Sequence, residues 1–192
     1  MGTRHLIAVQ LDGQYRIAQY GQWDGYPSGQ GATVLGFLKK WDRSTFEAKL
    51  RAASWMTEED YEAVNSRIRK EKLSECWEQT WPELSRDMGA KILQRVQDAQ
   101  LGIKLRNQID FAANSLMCEW GYVIDLDTNM LEVFKGFQKA PPPEGDRFAG
   151  FKPSDPQELV DGYYQIRRVA SYPLDKLPTQ ERMERDCDPG EE

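Results

Sequence analysis

Apolar and polar residues alternate along the start of the chain, and the alternation predicts a β-hairpin over residues 3–20. The stretches LIAVQL and QYRIAQY flank Asp12 and Gly13, a pair that tolerates positive φ in a two-residue turn. Such a turn sets the expected register, in which four pairs face each other: Leu11 and Gln14, Val9 and Arg16, Ile7 and Ala18, His5 and Tyr20. We therefore expect His5 at the open end of the hairpin, beside the loop that follows.

Helical spacing replaces the alternation after residue 31. One apolar stripe has the i, i+3, i+4, i+7 pattern and consists of Val34, Phe37, Leu38 and Trp41. STFE at 44–47 and TEED at 57–60 resemble capping boxes and predict two helix starts. The second of these helices is expected to bury Tyr61, Val64 and Ile68. A further helix is predicted over 82–100, opened by Pro82.

Alternation returns in the last third of the chain. CEWGYVIDL and MLEVFKGF predict a second hairpin around residues 127–129, and YYQIRRVASYPL predicts a last strand. Hairpins on both sides of a helical middle, about 31–116, indicate an α+β fold. Its antiparallel or mixed sheet packs against the central helical block. We expect one domain over 1–177, followed by a mobile polar tail over 178–192.

Composition and charge exclude several classes of protein. The net charge of −6 argues against direct nucleic-acid binding, which needs excess positive charge. No secretory signal and no apolar run of membrane-spanning length is recognisable, so a soluble cytoplasmic protein without a membrane partner is expected. Three distant cysteines indicate free thiols in a reducing compartment, and a single histidine argues against a zinc site. Neither a metal nor a cofactor is predicted.

The loop GQWDGYPSGQG at 21–31 is the candidate functional segment. Glycines at a helix entrance can leave N–H groups free for an anion, and flanking aromatic rings can stack on a flat ligand. The candidate ligand- or partner-binding residues are Gln22, Trp23, Asp24, Tyr26, Ser28, Gln30 and Gly31. Asp24 and His5 are the candidate acid and base, because the hairpin register brings them together. The competing interpretation is a structural corner, in which the glycines allow a tight turn and Ser28 caps the helix.

Two further patterns are interpreted structurally. DLDTN at 125–129 lacks the glycine and the last acid of a calcium loop and is interpreted as a hairpin turn. Glu119 and Asp125 share one face of the predicted strand and are interpreted as a solvated surface. The four tryptophans of the helical middle are expected in core packing: Trp41, Trp55, Trp77 and Trp81.

The opening residues carry a family resemblance. MGTRHLIAVQLDGQYRIAQYGQWDGYPSGQG resembles the start of a family of small uncharacterised proteins from phages, bacteria and some fungi. CEWGYVIDLDTNMLEVFKGF and YYQIRRVASYPLDKLP are similar to its longer members, so the likeness covers most of the chain. The resemblance marks motif positions without giving them roles: Thr3, Arg4, Asp24, Gly25, Tyr26, Pro27 and Gly29. It implies an accessory role in a phage rather than central metabolism.

Together these patterns favour a binding protein without catalytic activity. Its expected partner is a host or phage protein, and its expected role is a phage-encoded accessory protein or an inhibitor of a host defence system that acts by protein–protein contact. The alternative is a small hydrolase or a nucleotide- or anion-binding protein that uses the loop at 21–31.

Overall fold

The computed structural model describes residues 2–100 and 102–188. Its strands are β1 (His5–Leu11), β2 (Gln14–Gly21), β3 (Ser54–Trp55), β4 (Lys104–Leu105), β5 (Trp120–Asp125), β6 (Met130–Lys135) and β7 (Arg167–Pro173). Five of them form a mixed sheet in the order β2-β1-β5-β6-β7. β1 and β5 are parallel, whereas the other neighbours in this sheet are antiparallel. This architecture confirms the predicted α+β class.

Helices cover one face of the sheet. They are α1 (Ala32–Leu38), α2 (Arg43–Ala52), α3 (Glu58–Glu71), α4 (Trp77–Thr80), α5 (Lys91–Asp98) and α6 (Gln180–Cys187). The predicted apolar stripe of α1 and the inner residues of α5 pack with Ile7, Tyr122 and Leu131 in one large core. Among the described helices, none combines the length and apolar character that crossing a membrane requires.

The helix starts follow their caps. Thr57 and Asp60 form the predicted reciprocal capping box of α3. The box predicted at 44–47 is wrong, because Asp42 caps α2 instead and accepts the Thr45 N–H at 3.1 Å. Its carboxylate also accepts the Thr45 hydroxyl at 2.7 Å, and such bonds lower the pKa of Asp42.

Two helical predictions need correction. The helix predicted over 82–100 is a 3-10 turn at Pro82–Leu84 followed by α5, because Gly89 has a left-handed φ of +49° that interrupts helical geometry. The predicted buried face of α3 is only half-buried, since α3 has no fully buried residue. This helix lies at the edge of the helical layer.

The register of the first hairpin differs from the prediction by one residue. Leu11 faces Gln14 as expected, but a β-bulge between Val9 and Gln10 shifts the rest of the pairing. His5 consequently faces Gly21 rather than Tyr20. The second hairpin, β5 with β6, forms as predicted.

The second face of the sheet is covered by the long connection between β6 and β7. Phe148 and Ile166 from this connection are buried against Phe134 and Val123 of the sheet. The sheet is therefore enclosed on both faces, by helices on one side and by this irregular connection together with a 3-10 turn at Ile109–Ala113 on the other.

A buried ion cluster lies under this connection and corrects the interpretation of Asp125 as solvated. Arg147 donates hydrogen bonds to Asp125, Glu132 and Gln10, and Arg168 donates to Glu132 at 2.6 Å. Burial alone would raise the pKa of Asp125, but hydrogen bonds from the Thr128 N–H and from Arg147 lower it overall. Asp125 is therefore ionised and paired inside the fold.

The predicted polar tail contains a helix in its described part. Thr179 accepts the Arg182 N–H at 3.2 Å and caps α6, whose Met183 and Cys187 lie one helical turn apart and are buried. The tail predicted over 178–192 therefore includes a helix at residues 180–187, because two apolar side chains in an otherwise polar stretch dock it on the core. The mobility of the tail stays a prediction. Its last four residues lie outside the described chain.

Candidate functional site

The loop at 22–31 is held in place by its own backbone. Gly25 N–H donates to the Thr3 carbonyl at 2.9 Å, which ties the loop to the strand that precedes β1. Gly29 and Gly31 donate to the Tyr26 carbonyl, and Gln30 donates to the Asp24 carbonyl at 2.9 Å. These N–H groups are already bonded within the protein, so they are not available to an anion at the start of α1.

Two glycines of the motif are explained by close packing. A Cβ atom at position 29 would lie 2.3 Å from the Asp24 carbonyl oxygen. A Cβ at position 31 would lie 2.7 Å from the Met183 methyl group and 3.0 Å from the Tyr122 ring. The Tyr122 hydroxyl donates to the Gly25 carbonyl at 2.8 Å, which fixes the loop from below. The glycine spacing of the motif is therefore a packing requirement of this corner.

His5 lies beside the loop, as the hairpin predicted, but its ring is closed off from solvent. The ring lies against Gly21, and His5 has no exposed surface. Neither ring nitrogen has a hydrogen-bond partner among the described residues. Burial lowers the pKa of His5 to about 4, against a smaller opposing effect of the Thr3 backbone. The imidazole is thus neutral near pH 7 and out of reach of a dissolved substrate.

The remaining candidate residues divide into braces and exposed groups. The side chain of Gln30 donates to the Trp23 carbonyl at 3.1 Å and accepts the Ala90 N–H at 2.8 Å. Gly31 is buried, and Gln22 accepts a hydrogen bond from the Tyr20 hydroxyl. These residues support the corner from inside.

Asp24, Tyr26, Ser28 and part of Trp23 face solvent. Trp23 is 44% exposed and Tyr26 is 52% exposed, and the Trp23 indole N–H donates to Asp87 at 2.7 Å. Ser28 is exposed and does not cap the helix, because a single π-type turn at Pro27–Gly31 precedes α1 without a side-chain cap. The interpretation of Ser28 as a cap is therefore wrong. The loop presents two aromatic rings and one carboxylate at its surface.

These rings belong to a larger surface. Within the described residues, the large apolar side chains that are strongly exposed are Trp23, Tyr26, Met117, Phe137, Leu159 and Tyr164. All but Leu159 lie within five residues of the end of β2, the start of β5, the end of β6 or the start of β7. These four strand termini lie at the same end of the sheet, because β6 is antiparallel to β5 and β7, and β2 is antiparallel to β1. We call Trp23, Tyr26, Met117, Phe137 and Tyr164 the aromatic end.

Backbone hydrogen bonds join the loops of the aromatic end to one another. The Arg4 carbonyl accepts the Glu119 N–H at 3.0 Å, and the Glu119 carbonyl accepts the Gly136 N–H at 2.9 Å. Phe137 N–H donates to the Ser115 carbonyl at 2.7 Å, and Ser115 N–H donates to the Tyr164 carbonyl at 3.0 Å. The loops that carry the exposed side chains are therefore connected by a continuous series of backbone hydrogen bonds.

Sequence reasoning identified only the part of this surface that lies in the first loop. It missed Met117, Phe137 and Tyr164, whose positions depend on strand order. Phe137 ends the stretch MLEVFKGF that the alternation predicts as strand, whereas β6 ends at Lys135. Gly136, directly before Phe137, is the local signal that the strand stops earlier.

Other chemistry in the described chain offers no competing centre. No group of three or more His, Cys, Asp or Glu side chains within it could hold a metal ion. Burial raises the pKa of the Cys187 thiol to about 12, and it raises the pKa of Cys118 further. Both thiols are buried and protonated, as expected for packing residues.

Comparison of the chain with protein-family models, curated proteins and solved structures gave no match. The family resemblance of the opening motif therefore stays a prediction.

Proposed function

We propose that this protein binds another protein through its aromatic end and acts by occupying that partner's surface. The observation that carries the proposal is the collection of exposed aromatic side chains at one end of the sheet. Exposed apolar patches surrounded by polar groups are typical of interaction sites, and aromatic residues are enriched there. Scattered single rings would carry no such meaning.

The dimensions of the aromatic end fit a specific contact. Five strands separated by about 4.8 Å span about 19 Å from β2 to β7. A standard interface covers about 800 Å² on each partner, which is a patch about 30 Å across. One partner can therefore touch Tyr26 at one side of the surface and Tyr164 at the other.

Rigidity also supports binding. The loops are joined by backbone hydrogen bonds, so little conformational freedom remains to be lost when a partner docks. In contrast, the candidate acid and base at this end cannot act on the same substrate, because Asp24 is exposed whereas the imidazole of His5 is fully buried. This arrangement favours contact over hydrolysis.

The finer proposal concerns the partner. The resemblance of the opening motif to phage proteins supports a host or phage protein as the target, with the chain acting as an accessory protein or as an inhibitor of a host defence system. Covering a surface that the target needs would suffice for inhibition, and no catalytic group is required.

The test is a comparative capture experiment. Wild-type protein and the double variant Y26A/Y164A are immobilised and exposed to the same bacterial lysate, and bound proteins are quantified by mass spectrometry. Y61A/W77A is the matched control, because it removes two aromatic rings from the helical block. We expect a stoichiometric partner of the wild type that falls at least about tenfold with Y26A/Y164A and stays with the control. Equal capture by all three proteins, or no stoichiometric partner, would contradict the proposal.

A further inference from the structure

Phe137 has a backbone conformation that is unusual for its residue type. Five non-glycine residues of the described chain have positive φ: Asp12, Asp24, Lys72, Asn129 and Phe137. Asp and Asn tolerate this conformation because their short polar side chains bond locally, and Lys72 ends α3, where such a residue is common. Phe137 has φ of +56° and neither justification. For a bulky side chain this conformation is a true outlier.

The surroundings of Phe137 hold the backbone without sheltering the ring. Its N–H donates to the Ser115 carbonyl at 2.7 Å, and the next N–H, of Gln138, donates to the Ser115 hydroxyl at 3.0 Å. The Gln138 side chain also donates to the Gly136 carbonyl at 2.7 Å. Yet Phe137 is 52% exposed, so burial of the ring does not compensate the unfavourable conformation. Residues held in this way without a gain in packing mark functional positions.

Two positively charged residues belong to the same end of the sheet as Phe137. Lys139 lies two residues further on, with its ammonium group 3.3 Å from the centre of the Tyr163 ring. Arg167 is exposed at the start of β7. Neither residue forms an ion pair with a described acid, whereas Lys135 is paired with Asp188 at 2.9 Å. In a chain with a net charge of −6, this side of the aromatic end is suited to an acidic surface.

We propose that Phe137 is the anchor of the interface and inserts its ring into an apolar pocket of the partner protein, whose rim carries carboxylates facing Lys139 and Arg167. This inference rests on the proposed function and adds the chemistry of the partner. Trp23 is a weaker candidate for the anchor, because its indole is tied to Asp87 and packs on Gly2 within the protein. A ring that is free to enter a partner's pocket is typical of a binding hot spot.

The first test replaces the ring and relieves the backbone at once. The probe is the protein captured by the wild-type chain, and its affinity is measured by calorimetry for F137G and for K72G. Both substitutions place glycine at a left-handed position, but only the first removes an exposed ring. We expect F137G to bind about 30-fold more weakly, with a melting temperature unchanged or higher by about 2 °C, and K72G to bind like wild type. Wild-type affinity of F137G overturns the anchor assignment.

The second test addresses charge. K139E/R167E is compared with K70E/K91E, which makes the same change in net charge on the helical block. We expect at least about tenfold slower association for K139E/R167E at low salt and a smaller difference at high salt. Equal association rates for the two variants, or Phe137-dependent binding of a single-stranded oligonucleotide in place of a protein, would overturn the proposed chemistry. If Y26A/Y164A loses the partner while F137G keeps it, the anchor is wrong and the proposed function stands.

Discussion

The two ends of the central sheet differ in the residues that form their loops. At one end, the turns that join β1 to β2 and β5 to β6 contain Asp12, Gly13 and Asn129, which suit positive φ. Asp127 accepts the N–H groups of Asp12 and Gly13 at 2.8 Å each, and Arg51 of α2 pairs with Asp12 at 3.0 Å. We call this the turn end. At the aromatic end, exposed rings stand where such turn residues would be expected.

The two ends differ in how well residue type matches backbone conformation. At the turn end, residue type agrees with backbone conformation, and polar side chains bond to the backbone. At the aromatic end, Phe137 disagrees with its conformation and His5 is buried without a hydrogen-bond partner among the described residues. Local disagreements of this kind are expected where a protein gives up stability for function.

The largest predicted effect tests the buried charges that support the turn end. R147M leaves Asp125 buried without its ionic partner and leaves Glu132 paired with Arg168 alone, so we expect the free energy of unfolding to fall by about 3 to 5 kcal/mol. Urea denaturation measures this change. R182M removes an exposed arginine and should change stability by less than about 0.5 kcal/mol. A small effect of R147M would show that the ion cluster is dispensable and that the turn end does not depend on it.

The second prediction concerns acid sensitivity at the aromatic end. The unfolded chain protonates His5 below its ordinary pKa of 6.5, whereas the folded chain resists protonation down to about 4. The contribution of His5 to stability is therefore constant above pH 6.5 and falls as the pH drops from 6.5 to 4, by about 3 kcal/mol in total at about 1.4 kcal/mol per unit. H5F cannot be protonated and should lack this loss.

The difference between wild type and H5F in urea denaturation at several pH values isolates the histidine from the carboxylates, which titrate in both proteins. Parallel pH profiles for the two proteins would mean that the imidazole is accessible or hydrogen-bonded in solution.

The smallest predicted effect compares two glycines. G29A places a Cβ 2.3 Å from the Asp24 carbonyl oxygen and should destabilise the protein by about 1 to 3 kcal/mol. G36A, on the exposed side of α1, meets nothing within 4 Å and should stabilise by up to about 1 kcal/mol. Melting temperatures that move in opposite directions support the packing explanation of the motif. Equal shifts would leave the spacing of the glycines without this explanation.

The fold class was predictable because its signals are local. Asp12-Gly13 and residues 127–129 specify the two hairpins within a few positions, and the apolar stripes specify the helices. The β-bulge opposite Val9 and Gln10 was not predictable, because Tyr15 and Ile17 keep the spacing of a regular strand although they pack on opposite faces of the sheet. Arg147 was also missed, since its partners Gln10 and Asp125 come from distant parts of the chain.

The candidate site was predictable only in its first loop. Trp23 and Tyr26 stand out beside a glycine-rich stretch, whereas Phe137 and Tyr164 join them only through the order of the strands. That order depends on the parallel pairing of β1 with β5, which no local sequence pattern predicts.

The same parallel pairing has a consequence for how the protein is made. β1 ends at Leu11 and its partner β5 begins at Trp120, so closing this contact requires ordering an intervening segment that includes the whole helical block. Contacts between such distant segments form slowly, because the entropy cost of closing the loop comes before the stabilisation from strand pairing. During synthesis the first hairpin leaves the ribosome long before its neighbour exists. The aromatic end is therefore incomplete until the final third of the chain, which carries Phe137 and Tyr164, has been translated.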